Sequence, residues 1–388
     1  MFKSDRLKIL FLPGWYPTAK NKIYGIFVQE HAKAVSLYDD LVVLYNERGD
    51  RDCKRLWEVI SDQKEDGIRT IRIKHKEFFI PKISYFIYLY STFISFHNLI
   101  TQGWRSDIIH VHGLSAALPG VILGMMYHIP VVMTEHWTGF PRRSLRFIDK
   151  LNAKFSMNKA NLILPVSDDL GEAIRSYGIK SKFEIIPNVV DTALFHPIFN
   201  QSKGKTETKK RILLVALLIP RKGIPYLFEA LANLKEKRQD FVLNIVGEGS
   251  SRKEYEELSD RLALSNFVKF YGTRFKNELA EIMRNCDFFV LPSLSENLPC
   301  VLIEATASGL PLIATDVGGV GEIINENNGI LIPSKDINAL ETSINYMLDH
   351  YQDYSSRALF EYAKSNYGFE TVGKKLNRIY QQLKDDKY

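Results

Sequence analysis

Short apolar runs separated by amphipathic stretches set the rhythm of this chain. Residues 9–12, 41–45, 108–110, 131–134 and 162–166 have the character of buried strands, and helical spacing such as that of 26–35 stands between several of them. This alternation predicts parallel α/β sheets. The stretch 200–210 (Asn-Gln-Ser-Lys-Gly-Lys-Thr-Glu-Thr-Lys-Lys) has no apolar residue, after which strand-like runs restart at 211–217, 241–246, 268–271, 288–291 and 312–314. A linker at 199–210 is therefore expected to divide a first domain, 1–198, from a second, 211–368, with the two facing a central cleft. At the end of the chain Val372, Leu376, Ile379, Tyr380 and Leu383 recur at helical spacing. A helix over 369–385 that packs back on the first domain is expected.

One apolar segment stands apart. Residues 83–96 (Ile-Ser-Tyr-Phe-Ile-Tyr-Leu-Tyr-Ser-Thr-Phe-Ile-Ser-Phe) are too few to span a bilayer. Preceded by Pro81-Lys82 and rich in tyrosine, they read either as a buried core helix or as an interfacial helix at a lipid surface.

Composition narrows the class. The chain has 388 residues, 45% hydrophobic and 25% charged, which suffices for two cores. The net charge of +6 belongs to the first half, where 26 Lys and Arg face 20 Asp and Glu in residues 1–195, against 25 of each in 196–388. This excess is too small and dispersed for a nucleic-acid groove, and suits an anionic membrane surface or a phosphate-bearing acceptor. Cys53, Cys286 and Cys300 are scattered, so neither a disulfide framework nor a zinc site is expected. No secretory leader is read at the start of the chain, and a cytoplasmic location is expected.

The richest chemistry lies at Ser295-Glu296-Asn297-Leu298-Pro299-Cys300-Val301-Leu302-Ile303-Glu304-Ala305. Pro299 suits a first helical position, which places Glu296 just before a helix and Glu304 on it. Ionised carboxylates accept paired hydroxyls, as sugar and ribose diols offer, and the amides of 297–299 would add donors at the positive end of the helix. For the two carboxylates alone, a helix cap and a solvent-facing glutamate are the plain alternative. After the strand-like run 211–217, Arg221, Lys222 and Gly223 put two cations and a helix start where open α/β sheets bind ligands. Such groups stabilise a diphosphate gathering charge as it leaves. Val246-Gly247-Glu248-Gly249 lacks a third glycine at Arg252, so it is no dinucleotide fingerprint.

Together with Ile186-Pro187-Asn188, Tyr271-Gly272 and Ala307-Ser308-Gly309 through Gly318-Gly319, these motifs fall in the order of the retaining glycosyltransferases of family 4, also called glycosyl transferases group 1. The chain resembles that family over nearly its whole length, most specifically over residues 185–335. The resemblance implies the GT-B fold, α/β with two Rossmann-like domains, and a bacterial surface-polysaccharide role. It implies that Glu296 holds the donor sugar, Glu304 the ribose, and Lys222 with Arg221 the diphosphate. Where the family often has a further arginine, this chain has Ala216. Gly247 and Gly249 become a close approach near the base, with a simple tight turn as the alternative. Gly14 contacts donor phosphate, while Trp15 and Tyr16 shape the acceptor pocket. His136 matches the histidine beside the reacting sugar, and His112, Arg142 and Arg143 are acceptor-side candidates.

The expected reaction is metal-independent transfer of a hexose or N-acetylhexosamine from a nucleotide-diphosphate sugar to a lipid-linked saccharide, peripheral on the inner face of the cell membrane. No cofactor is implied: Asp50-Arg51-Asp52 is flanked and divided by cations that compete with a metal. Two rivals are a nucleotide-sugar epimerase on the same scaffold and a catalytically silent nucleotide-sugar-binding subunit. A dehydrogenase is disfavoured by Pro13-Gly14-Trp15-Tyr16-Pro17 after the first strand, and Gly204-Lys205-Thr206 lacks the leading glycine of a phosphate loop.

Overall fold

A computed structural model describes residues 6–51, 53–198 and 209–386. The chain forms two compact units, one running to Val189 and resuming at Phe369, the other from Val190 to Gly368. The boundary thus falls before 190, and residues 190–198 belong to the second unit where the polar composition of 199–210 had suggested the first. Most of that expected linker, with Gly204, lies outside the described residues. So does Asp52.

The first unit holds strands β1 (Lys8–Pro13), β2 (Asp40–Asp50), β3 (Trp57–Glu65), β4 (Ile68–Lys76), β5 (Ile108–His112), β6 (Val131–Glu135) and β7 (Leu162–Pro165), in the order β3-β4-β2-β1-β5-β6-β7. All pair in parallel except β3, which runs antiparallel to β4 at the edge. Asp66 and Gly67, both at positive φ, make the tight turn between β3 and β4. Its helices are α1 (Ile26–Ser36), α2 (Pro81–Thr101), α3 (Ala117–Tyr127), α4 (Phe147–Lys159) and α5 (Asp168–Arg175). The Ser167 hydroxyl accepts the Leu170 amide and caps α5.

The second unit stacks β8 (Lys210–Val215), β9 (Phe241–Val246), β10 (Val268–Gly272), β11 (Phe288–Leu291), β12 (Leu312–Thr315) and β13 (Gly329–Ile332) as an all-parallel sheet ordered β10-β9-β8-β11-β12-β13. Fully buried strands of this kind read as continuous apolar runs, as in Phe-Phe-Val-Leu of β11. Helices α6 (Ile224–Lys235), α7 (Arg252–Arg261), α8 (Lys276–Arg284), α9 (Cys300–Ala307), α10 (Ile337–His350) and α11 (Ser356–Tyr367) complete it.

The last helix, α12 (Phe369–Asp385), returns to the first unit and buries Val372, Leu376, Ile379 and Tyr380 in the core with Val28, Ala32 and Val35 of α1. Each such side chain contributes roughly 1.5–3 kcal/mol on full burial. Gly373 permits the contact: a Cβ there would stand 2.2 Å from the Ala34 carbonyl oxygen. Helix α2 is neither wholly core nor wholly surface. It buries Ile87, Phe96 and Leu99 and exposes Ile83, Tyr85, Phe86 and Tyr90. Among the described residues no helix is long and apolar enough to cross a membrane.

Candidate functional site

In the second unit the expected residues gather at the carboxyl ends of three neighbouring strands, β8, β11 and β12. Such ends bind ligands in open α/β sheets. Beyond β8 the chain makes a single 3-10 turn over Pro220–Lys222 and enters α6 through Gly223 at φ +64. A Cβ on Gly223 would stand 2.0 Å from the Pro292 carbonyl oxygen, so only glycine lets this turn close on the end of β11. The Leu294 amide donates to the Arg221 carbonyl at 2.8 Å, which joins the loops after β8 and β11.

That backbone contact sets Lys222 beside Glu296. The Lys222 Nζ donates to Glu296 Oε1 at 2.5 Å, and the side chains are 12% and 8% exposed. Ser293 Oγ donates to the same oxygen at 2.6 Å, and Thr315 Oγ1 donates to the Ser293 carbonyl. Both donors thus converge on Oε1. Among the described residues Oε2 takes no hydrogen bond, and it is the acceptor left for a hydroxyl. Buried Ser293 and Thr315, which the sequence reading missed, hold the Glu296 carboxylate in place; their signal was polar residues at the ends of apolar strands.

Pro299 is the N-cap of α9, extended at ψ 115, so the helix begins one residue later than expected, at Cys300. Asn297, Leu298 and Pro299 are buried in the turn before it, and the Gly319 amide donates to the Asn297 carbonyl at 2.8 Å. Glu304 lies half-buried on the second turn of α9, and Arg221 is half-buried beside Lys222.

Two glycine expectations change. Cβ atoms on Gly247 and Gly249 would stand 1.9 Å from the Ala216 carbonyl oxygen and 2.3 Å from that of Leu218. The close approach these glycines allow is therefore to backbone of the loop after β8, which is the tight-turn reading. Gly14 is likewise committed: its amide donates to the His112 carbonyl at 2.8 Å, so it has no N–H to offer a phosphate.

The first unit collects four imidazoles. The pleat of β5 puts His110 and His112 on one face, with rings stacked at 4.2 Å. His136, just past β6, lies 5.8 Å from His112, and His31 of α1 lies 5.7 Å and 5.5 Å from His112 and His136. His110 is held by the Tyr380 hydroxyl of α12 at 2.6 Å and by Thr134 Oγ1 at 2.7 Å. Burial lowers the pKa of all four, and their mutual repulsion as cations lowers those of His110, His112 and His136 further, so the cluster is neutral. The Asn188 side chain beside His136 acts against this lowering and raises its pKa. Glu135, also missed, accepts the amides of His136 and Trp137 on Oε1 at 2.8 and 2.9 Å. Burial lifts its pKa to about 7.

The remaining acceptor-side expectations divide. Trp15 is half-buried, its ring packed on Gly113 just after β5. Tyr16 points the other way, fully buried against Tyr45 with Arg72 over its ring, because the strand-end alternation sends it into the core; it is not placed to line a pocket. Arg142 and Arg143 stand exposed on the turn before α4. Among the described residues no group of three or more His, Cys, Asp or Glu is arranged to hold a metal.

Residues 196–365 match the family model described as glycosyl transferases group 1, and residues 39–194 that of glycosyltransferase family 4. The chain is 29% identical to the Escherichia coli UDP-Gal:alpha-D-GlcNAc-diphosphoundecaprenol alpha-1,3-galactosyltransferase, over 72% of this chain and 75% of that one. It is 25% identical to glycogen synthase of Mycobacterium tuberculosis, over 73% and 70%. Among solved structures, sucrose-phosphate synthase from Thermosynechococcus elongatus superposes with a TM-score of 0.77 at 21% identity, covering 98% of this chain and all of that one. Anabaena HepE in complex with UDP and glucose superposes with a TM-score of 0.76 at 18% identity, covering 97% of this chain and all of that one.

Proposed function

The chain belongs to the family 4, group 1 glycosyltransferases, with the GT-B fold of two Rossmann-like domains, and we propose that it is a retaining, metal-independent enzyme that moves a hexose or N-acetylhexosamine from a UDP-sugar to a hydroxyl of a lipid-linked saccharide. The observation that carries this reading is the Lys222–Glu296–Ser293 constellation at the carboxyl edge of the second sheet, with one carboxylate oxygen bound internally and the other left as an acceptor. Glu296 Oε2 takes a donor-sugar hydroxyl and Glu304 the ribose diol. Lys222 and Arg221 meet the diphosphate, whose charge grows as the glycosidic bond breaks, so their attraction is greater in the transition state than before it. These cations supply what a metal supplies elsewhere.

On the acceptor side His136 orients the sugar by hydrogen bonding. Its neutrality suits that task, because an imidazolium would oppose the positive charge that develops at the anomeric carbon. Retention follows from attack on the face the diphosphate leaves, with a leaving phosphate oxygen taking the acceptor proton. The lipid-linked acceptor is supported by the undecaprenol-linked substrates named for the E. coli relative and for the Campylobacter jejuni N-acetylgalactosaminyltransferase, 28% identical over 54% of this chain. A place in capsule, exopolysaccharide or O-antigen assembly at the inner face of the cell membrane agrees with such an acceptor.

The test is nucleotide release from UDP-, GDP- and ADP-sugars with a polyprenyl-diphosphate-linked sugar, with and without EDTA, for the wild type and Glu296→Ala. Release that needs the acceptor, survives EDTA and vanishes in the variant is expected. Tight donor binding without turnover would replace this reading with a silent subunit, and acceptor-free conversion of the donor with an epimerase.

A further inference from the structure

Helix α4 carries its large apolar residues on the solvent side. Its buried face is made by Ala153, Ser156 and Met157. Phe147 and Ile148 are each 74% exposed, Leu151 54% and Phe155 44%. At about 100° per residue these four fall within an arc of roughly 100°, flanked by Lys150 and Lys154 on one side and Lys159 on the other. A helix that serves only its own core has the reverse pattern. The cations are also uncommitted: among the described residues Arg142, Arg143, Lys150 and Lys154 are in no ion pair, and Asp149, the one carboxylate between residues 142 and 159, is taken by Arg146.

The start of α2 adds a second stripe. Ile83, Phe86 and Tyr90 share one side, exposed Phe79 and Ile80 precede them, and no acidic residue occurs from 78 to 106. Right-handed crossovers from β4 to β5, β5 to β6 and β6 to β7 place α2, α3 and α4 on one side of the first sheet. The amino ends of α2 and α4 both stand at the carboxyl edge of the strands, the edge that carries His112 and His136.

We propose that this side of the first unit, centred on the Phe147–Phe155 stripe of α4, docks on an anionic lipid bilayer. The apolar side chains enter the boundary between headgroups and acyl chains, and the flanking lysines reach up to lipid phosphates. A convex apolar stripe bordered by unpaired cations on both sides complements an anionic, deformable surface. The assignment rests on the reading of a lipid-linked acceptor, and adds to it the face that meets the membrane.

Co-sedimentation of the full chain with phosphatidylglycerol-containing vesicles and with pure phosphatidylcholine vesicles decides it, for the wild type, Phe147→Ser/Ile148→Ser and Lys150→Glu/Lys154→Glu. The wild type prefers the anionic vesicles, and each double variant loses about tenfold or more in partitioning with an unchanged thermal transition. Transfer to a short-chain, water-soluble acceptor is the same in all three, which separates loss of docking from loss of the enzyme. If no soluble acceptor is used even by the wild type, the acceptor reading fails while the vesicle result still decides the docking. Equal partitioning of wild type and both variants, no preference for anionic vesicles, or a dimer in light scattering that the substitutions dissolve, would overturn the proposal.

Discussion

Lys222 Nζ and Glu296 Oε1 are 2.5 Å apart, 74 residues apart in sequence and nearly buried, so neither charge can be removed without stranding the other. Removing one partner of a buried pair costs about 3–5 kcal/mol, more than the pair itself contributes. Glu296→Ala and Lys222→Ala are each expected to lower transfer by at least about a hundredfold and to destabilise the fold by several kcal/mol. The double variant should unfold at a urea midpoint above that predicted by adding the singles. Losses that add within about 0.5 kcal/mol would show the two side chains to be independent.

The imidazole cluster makes stability acid-sensitive. A histidine whose folded pKa is lowered contributes stability that is full above the unfolded value of 6.5 and is lost as pH falls below it, at about 1.4 kcal/mol per pH unit for each group. Both ring nitrogens of His112 are buried and have no hydrogen-bond partner among the described residues. His112→Phe therefore removes a proton site without breaking a bond, and should flatten the fall between pH 6.5 and 5 by about one proton while leaving stability at pH 8 equal or higher. Glu135 works in the opposite sense. Its folded pKa is raised from 4.5 to about 7, so its contribution is full below 4.5 and lost as pH rises through 7. Parallel pH profiles for wild type and His112→Phe would count against the cluster.

Two glycines at positive φ should answer alanine very differently. At Gly67, φ +84, a Cβ meets nothing within 4 Å, and Gly67→Ala is expected to cost about 1–2 kcal/mol in backbone strain alone. At Gly247, φ +138, the same atom would lie 1.9 Å from the Ala216 carbonyl, and the loops after β8 and β9 must part. A loss of roughly 3 kcal/mol or more, with weakened nucleotide binding, is expected from Gly247→Ala. Equal losses in urea unfolding would show that backbone conformation, and not the loop contact, governs both positions.

Much of this was legible in the chain because the buried strands are nearly continuous apolar runs, as in β11 and the 212–215 stretch of β8, and because Lys222 and Glu296 follow such strands. Their partnership was not legible: it is set by the Leu294-to-Arg221 hydrogen bond, which no local pattern announces. The β3–β4 hairpin escaped because β3 is a largely exposed, polar edge strand, although its Asp66-Gly67 turn was the signal to read. Gly14 shows the limit of reading glycine by position. Its place after β1 was evident, but its amide is spent on a carbonyl 98 residues away. The long-range approach of His31 to His112 and His136 is of the same kind, since only the placement of α1 against the first sheet brings them together.

The return of α12 gives the molecule an order of assembly. Every strand and helix of the second unit precedes residue 369 in the chain, so that unit is complete in sequence before α12 is made. The first unit, begun earlier, must wait with Val28, Ala32 and Val35 of α1 uncovered and His110 without Tyr380, until the last seventeen residues of structure arrive. The half of the chain translated first is thus the half completed last, and for that interval its open apolar face depends on chaperones or on speed.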